Sequence, residues 1–123
     1  MPPASSFPAD RFLALHRLLA LIPGPSNHEE PRRRALEQHL QARGVRTTTD
    51  AVGNPWVSLG QGAWEDTVVL DAHLDVVERG SARKVVRDDE AIRGLGVGDD
   101  LVAVTMLALL AERLTPRQDS LRR

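Results

Sequence analysis

Four residues in this chain have the types and spacing of a chemical site. His73 and Asp75 lie in DAHLDVV, and Asp99 and Asp100 close the run GLGVGDD. A neutral imidazole is a common metal ligand, and a carboxylate beside it fixes its tautomer and raises its basicity. The bland alternative for this pair is a loop histidine with an incidental aspartate. The glycines pose a second choice, because a glycine loop opening onto a helix is also how phosphates are held. Two aspartates at the helix start repel a phosphate. Gly94, Gly96 and Gly98 alternate instead of following G-x-G-x-x-G, and no Lys-Ser/Thr pair comes after them. A carboxylate pair beside flexible glycines suits a cation better. Both aspartates are also favoured at a helix N-terminus for structural reasons alone; that reading is stronger for Asp100 than for Asp99.

The surrounding elements have to bring these groups together. Phe7 to Ile22 carries a helical stripe of Phe12, Leu15, Leu18, Leu19 and Ile22, with Asp10 as the expected N-cap and PGPS as the stop. A second helix is expected from about Asn27, with Ser26 and Glu29 in capping-box spacing, through Leu36 and Leu40 to Gly44. Val45–Ala51 and Asn54–Leu59 read as two strands joined around Gly53 and Asn54. Thr67–Ala72, TVVLDA, reads as a strand buried on both faces, with His73 at its carboxyl end, where open α/β sheets build their sites. Lys84–Arg87 and Ala91–Arg93 form a small hairpin across Asp88–Glu90. Leu101–Leu114 is apolar nearly all round and is expected as a well-buried helix. These elements predict an α/β domain, layered α/β/α with a mixed, partly parallel sheet. After Leu114 only TPRQDSLRR remains, so no further apolar strand is expected to return to that sheet.

The other polar candidates read as structural. His28-Glu29-Glu30-Pro31-Arg32 approaches H-E-x-x-H, but Arg32 stands where the second histidine is required. Glu29 and Glu30 are then first-turn acids, favoured there by the helix dipole. His16 and His39 lie on helices without an acidic partner at ligand spacing and are expected at the surface. Trp56 and Trp64 are expected to pack or cap the first hairpin.

Composition excludes several functions. Lys and Arg total 16 against 17 Asp and Glu, a net charge of −1, which lacks the basic excess of a nucleic-acid footprint. There is no cysteine, so disulfides and thiolate metal sites are ruled out. The N-terminal MPPASSFPAD has no basic n-region, and His16 and Arg17 break the apolar run after it, so a cytoplasmic protein without a membrane partner is the expectation.

Taken together, DTVVLDAHLDVVERG, VVRDDEAIRGLGVGDDLVAVTMLALLAERL and the upstream LLALIPGPSNHEEPRRRALEQHLQARGV resemble the co-catalytic zinc peptidases that include glutamate carboxypeptidase, aminoacylase, succinyl-diaminopimelate desuccinylase and peptidase T. The resemblance spans about residues 10 to 114. It implies that His73 binds one zinc ion, that Asp75 orients His73 as part of the catalytic machinery, and that Asp99 bridges two zinc ions. It implies hydrolysis of peptide or N-acyl amide bonds by a metal-dependent peptidase or amidohydrolase. Leu101 and Val102 replace the small and basic residues the family commonly has after the bridging aspartate. The family's general base, in a Glu-Glu pair, and three further ligands have no counterpart after Asp100, where the only acids are Glu112 and Asp119. On this reading residues 1–123 are the N-terminal portion of a catalytic domain, without a second domain and inactive as this chain alone. The alternative is a non-enzymatic, truncated fragment that self-associates through its incomplete sheet as a homo-oligomer. A nucleotide-binding module is the weakest reading.

Overall fold

The computed structural model describes residues 6–77 and 84–121. The start of MPPASSFPAD and the ERG that closes DTVVLDAHLDVVERG lie outside the described residues. Three helices carry the structure: α1 (Ala9–Leu21), α2 (Glu30–Gln41) and α3 (Leu101–Leu114). Two short antiparallel ribbons accompany them, β1 (Thr48–Thr49) with β2 (Pro55–Trp56) and β3 (Val86–Arg87) with β4 (Ile92–Arg93). Short 3-10 helices cover Trp64–Asp66 and Thr115–Leu121. No helix is long and apolar enough to cross a membrane among the described residues.

Apolar periodicity explains the core. Leu15, Leu19 and Ala20 of α1 meet Leu36 and Leu40 of α2, Val45, and Leu101, Val104, Ala108 and Ala111 of α3. Helix α1 starts at Ala9 after Pro8, so Asp10 sits in its first turn instead of capping it. Helix α2 begins at Glu30, later than its expected start, because Asn27 adopts the left-handed region (φ 70°) inside a turn closed by His28 N–H and the Pro25 carbonyl. No capping box forms. Glu29 instead accepts from the Asn27 N–H at 2.7 Å. The helix stops at Gln41 and the chain turns away at Gly44 (φ 76°), the expected stop, where Val45 N–H bonds the Leu40 carbonyl and Gly44 N–H that of Gln41, both at 3.0 Å. This pair of bonds is a Schellman motif.

Both hairpins form where alternation and turn residues place them, each reduced to a two-residue ladder. In the first, Asp50 accepts from Val52 N–H, Asn54 N–H, the Asn54 amide and the Trp56 indole N–H. The Trp56 bond is the largest cause holding the Asp50 carboxyl at a pKa of about 2. Trp56 therefore caps this hairpin, whereas Trp64 lies in the 3-10 helix and is 70% exposed.

The content is mixed α and β, but the expected strand Thr67–Ala72 requires correction. Val68 is 82% exposed and Leu70 60%, and no ladder includes the segment. A strand buried on both faces needs neighbours on both edges. Among the described residues the only such contact comes later, in the parallel bridge of Pro25 with Val76. Helix α3 also differs from expectation: it buries Leu101, Val104, Thr105, Ala108 and Ala111 but leaves Val102, Met106 and Leu110 partly in solvent.

Two histidines expected at the surface lie inward. His16 is 2% exposed, stacked on Phe12, with its Nε2 2.6 Å from the Val97 carbonyl. His39 Nε2 lies 2.6 Å from Glu112, an acid 73 residues away that also pairs with Arg11 and Arg43. Glu112 thus ties α1, α2 and the segment after α2 to α3. Two guanidiniums already compensate its charge, so His39 has no need to be cationic. Burial, with Arg43 and Arg11 nearby, lowers the His39 pKa.

Candidate metal-binding site

The two halves of the site arrive from different directions. His73 and Asp75 sit on the segment that ends at Val76, where Val76 N–H bonds the Gly24 carbonyl at 2.9 Å. Asp99 and Asp100 sit at the start of α3, joined by a cis peptide. The glycine turn between β4 and α3 serves their approach. Gly96 has φ 71°, and a Cβ there would lie 2.7 Å from Val76 Cγ2. Only glycine lets the turn close on the His73 segment this tightly.

His73, Asp75 and Asp99 meet. Asp75 offers its carbonyl at 3.0 Å and its carboxylate at 3.1 Å to His73 Nδ1. Both atoms can only accept, so Nδ1 carries a proton and donates. His73 Nε2 faces Asp99 Oδ1 at 3.0 Å. In the neutral ring this Nε2 carries only a lone pair; in the protonated ring its N–H donates to Asp99. Asp100 acts on the backbone instead, where its carboxylate accepts the His73 N–H at 3.4 Å and ties the helix start to the segment.

Charge and burial describe an open site with one anchored side. The Asp99 side chain is 93% exposed and that of Asp75 32%. Ser26 donates its hydroxyl to Asp75, and this bond is the largest influence holding the Asp75 carboxyl below the usual carboxylate range. Partial desolvation pulls the His73 pKa down. The bonds to Asp75 and Asp99 and the charges of Asp75 and Asp100 outweigh it, so the pKa stands above 6.5.

Two residues whose sequence context suggests only local roles support the site. Ser26, expected in a capping box, instead fixes the Asp75 carboxylate. Arg32, which in the sequence only spoils H-E-x-x-H, is fully buried. It donates Nη1 to the Leu74 carbonyl at 2.7 Å and Nε and Nη2 to the Ile22 carbonyl at 3.1 and 2.8 Å. It thereby clamps the His73 segment to the α1–α2 connection. Its spacing to Leu36 and Leu40 is a usable sign that it faces inward. Glu29 and Glu30 act locally, Glu30 pairing with Arg33 and Arg34.

His73 Nε2 and Asp99 Oδ1 are donors of the kinds a divalent cation takes. Among the described residues, no group of three or more His, Asp or Glu side chains converges to hold one. The chain matches no family model, no curated protein and no solved structure.

Proposed function

We propose that this chain carries one side of a zinc-dependent hydrolase site acting on peptide or N-acyl amide bonds, within a layered α/β/α domain. The reading is supported by one observation above the others. His73 is gripped at Nδ1 by Asp75 and directs Nε2 at Asp99, the carboxylate–histidine–donor order of a zinc site. Bound zinc polarises a carbonyl and lowers the pKa of a bound water. The chain's own residues prepare for that chemistry. Asp75 selects the Nδ1–H tautomer, Ser26 holds Asp75, and Asp100 and Arg32 fix the segment that carries the ring. Two carboxylate oxygens on Asp99 allow it to serve two ions.

With two protein ligands, against about three in catalytic zinc sites, binding by this chain is weak. Cobalt(II) and zinc titrations followed by absorption and by ¹⁵N shifts of the His73 ring test this. Expected is millimolar-range binding at Nε2 with Nδ1 still protonated, lost in His73→Ala and in Asp99→Ala. Binding that ignores both substitutions, or none in that range, overturns the proposal. Tight stoichiometric zinc overturns the two-ligand account and means that further side chains converge on the ion.

A further inference from the structure

Asp99 is the less anchored half of the site. Its side chain is 93% exposed, and among the described residues it bonds only the His73 ring. Its place therefore depends on its backbone. Asp100 ties the far side of that backbone to the His73 N–H at 3.4 Å. The near side is the glycine turn, where Gly94, Gly96 and Gly98 leave only Leu95 and Val97 with side chains to pin it. The turn's own bond, from Val97 N–H to the Gly94 carbonyl, is long at 3.5 Å.

Among the described residues one side chain hydrogen-bonds this turn, and it comes from another element. His16 of α1 sets its Nε2 2.6 Å from the Val97 carbonyl, two residues before Asp99. A carbonyl only accepts, so Nε2 carries the proton, and Nδ1 of the neutral ring is a bare acceptor. That Nδ1 is buried without a hydrogen-bond partner among the described residues. The ring is 2% exposed and stacks on Phe12, with 5.3 Å between centroids. An orphaned buried acceptor costs stability, and leucine would fill this place on the apolar face without one. Packing alone gives no reason for an imidazole here. What the imidazole adds is an N–H that reaches the Val97 carbonyl.

We propose that His16 is a positioning residue: through the Val97 carbonyl it sets where the turn delivers Asp99, and so the approach of Asp99 Oδ1 to His73 Nε2. His16 hydrogen-bonds neither residue and acts through the backbone between them. The effect on metal affinity rests on the two-donor site proposed above, whereas the effect on geometry does not.

Three substitutions separate the donor from the packing. Glutamine carries its amide at the reach of Nε2, asparagine at that of Nδ1, and leucine fills the space with no donor. NMR of the metal-free chain at one fixed pH reads the ¹⁵N and Hε1 shifts of the His73 ring. These sense Asp99 at 3.0 Å, and repacking around Phe12 would leave them alone. His16→Leu and His16→Asn are expected to displace them and His16→Gln to keep them. Cobalt(II) affinity should fall about tenfold in the first two only, the lower end for groups that orient ligands. Wild-type His73 shifts in the leucine or asparagine chain, or shifts in the glutamine chain displaced as far as in leucine, overturn the proposal. The wild type gives a check that no misfolded variant can spoil: its ¹⁵N shifts should show His16 as the Nε2–H tautomer, and an Nδ1–H tautomer overturns the bond. A wild type that binds no cobalt, with the His73 shifts behaving as expected, overturns the metal reading and supports the positioning role.

Discussion

Replacing Arg32 by Met removes the clamp on the His73 segment while keeping an unbranched apolar stem. Three N–H groups of Arg32 reach two carbonyls, those of Ile22 and Leu74, from a fully buried position. Each carbonyl left without a donor costs ~1–3 kcal/mol. Ile22 and Leu74 are only partly buried, so water can reach some of what the guanidinium leaves. The apolar methionine also avoids the desolvation of a charge, which offsets part of the loss. The net expectation is a destabilisation of about 2–4 kcal/mol, a large part of the ~5–15 kcal/mol of a typical domain.

Urea unfolding followed by circular dichroism measures this directly. A domain with a slope near ~1.5–2 kcal/mol/M should lose ~1–3 M from its midpoint. Arg32→Lys separates charge from geometry. It keeps the cation but cannot span both carbonyls as a fork, so it should recover little of the loss. Hydrogen exchange gives the local readout: the Val76 N–H, bonded to the Gly24 carbonyl, should lose protection in both variants. An Arg32→Met midpoint within about 0.3 M of the wild type, with Val76 still protected, refutes the clamp.

Other substitutions probe the same contacts and the chemistry. Gly24→Ala places a methyl 2.8 Å from the Arg32 guanidinium, which three hydrogen bonds hold in place, and should cost ~1–3 kcal/mol in the same urea assay; a neutral result shows that the clamp is loose. His39 has its pKa lowered in the folded state, so below pH 6.5 the unfolded chain takes up a proton that the folded chain refuses, and stability falls as pH drops through that window. His39→Gln, which can still donate to Glu112, should flatten this slope between about pH 7.5 and about pH 5.5; an unchanged slope refutes the assignment. Hydrolysis of dipeptides or N-acyl amino acids by the purified chain with zinc is expected to be undetectable with only two ligands at the site. Turnover that vanishes in Asp99→Ala overturns that expectation.

The sequence is most informative where structure is locally determined. Helix α3 has the bounds its apolar run predicts, Gly44 ends its helix through a positive φ, and the hairpins turn at Asp50–Asn54 and at Asp88–Ala91. Thr67–Ala72 departs from expectation for the opposite reason. Its apolar, β-branched composition states what the segment would do beside other strands, but the described residues place none there. Helical periodicity also reaches beyond the apolar residues. Counted as a position and not as a polar residue, His16 falls one turn from Phe12 and beside Leu19 on the buried face of α1. Arg32 extends the Leu36–Leu40 stripe in the same way. Each points inward because of where it sits, and each buries a polar group that must find a carbonyl or a carboxylate.

The site is legible in its principal atoms and not in their supports. His73, Asp75 and Asp99 stand out by their chemistry, and the fold brings both carboxylates within about 3 Å of one imidazole, although Asp99 is 26 residues further along the chain. Ser26 reaches Asp75 across 49 residues and Arg32 reaches Leu74 across 42, and nothing local to either sequence position announces the partner. The supports matter as much as the donors. An imidazole with a mobile Asp75 would rotate freely, and its Nε2 would have no fixed direction. With Ser26 on the carboxylate and Arg32 on the Leu74 carbonyl, the protein alone sets the direction of the ring. The order of importance is therefore testable. Ser26→Ala should lower zinc affinity by loosening Asp75 while leaving the helical core intact. A Ser26→Ala chain that binds zinc as the wild type does would show that Asp75 needs no second anchor.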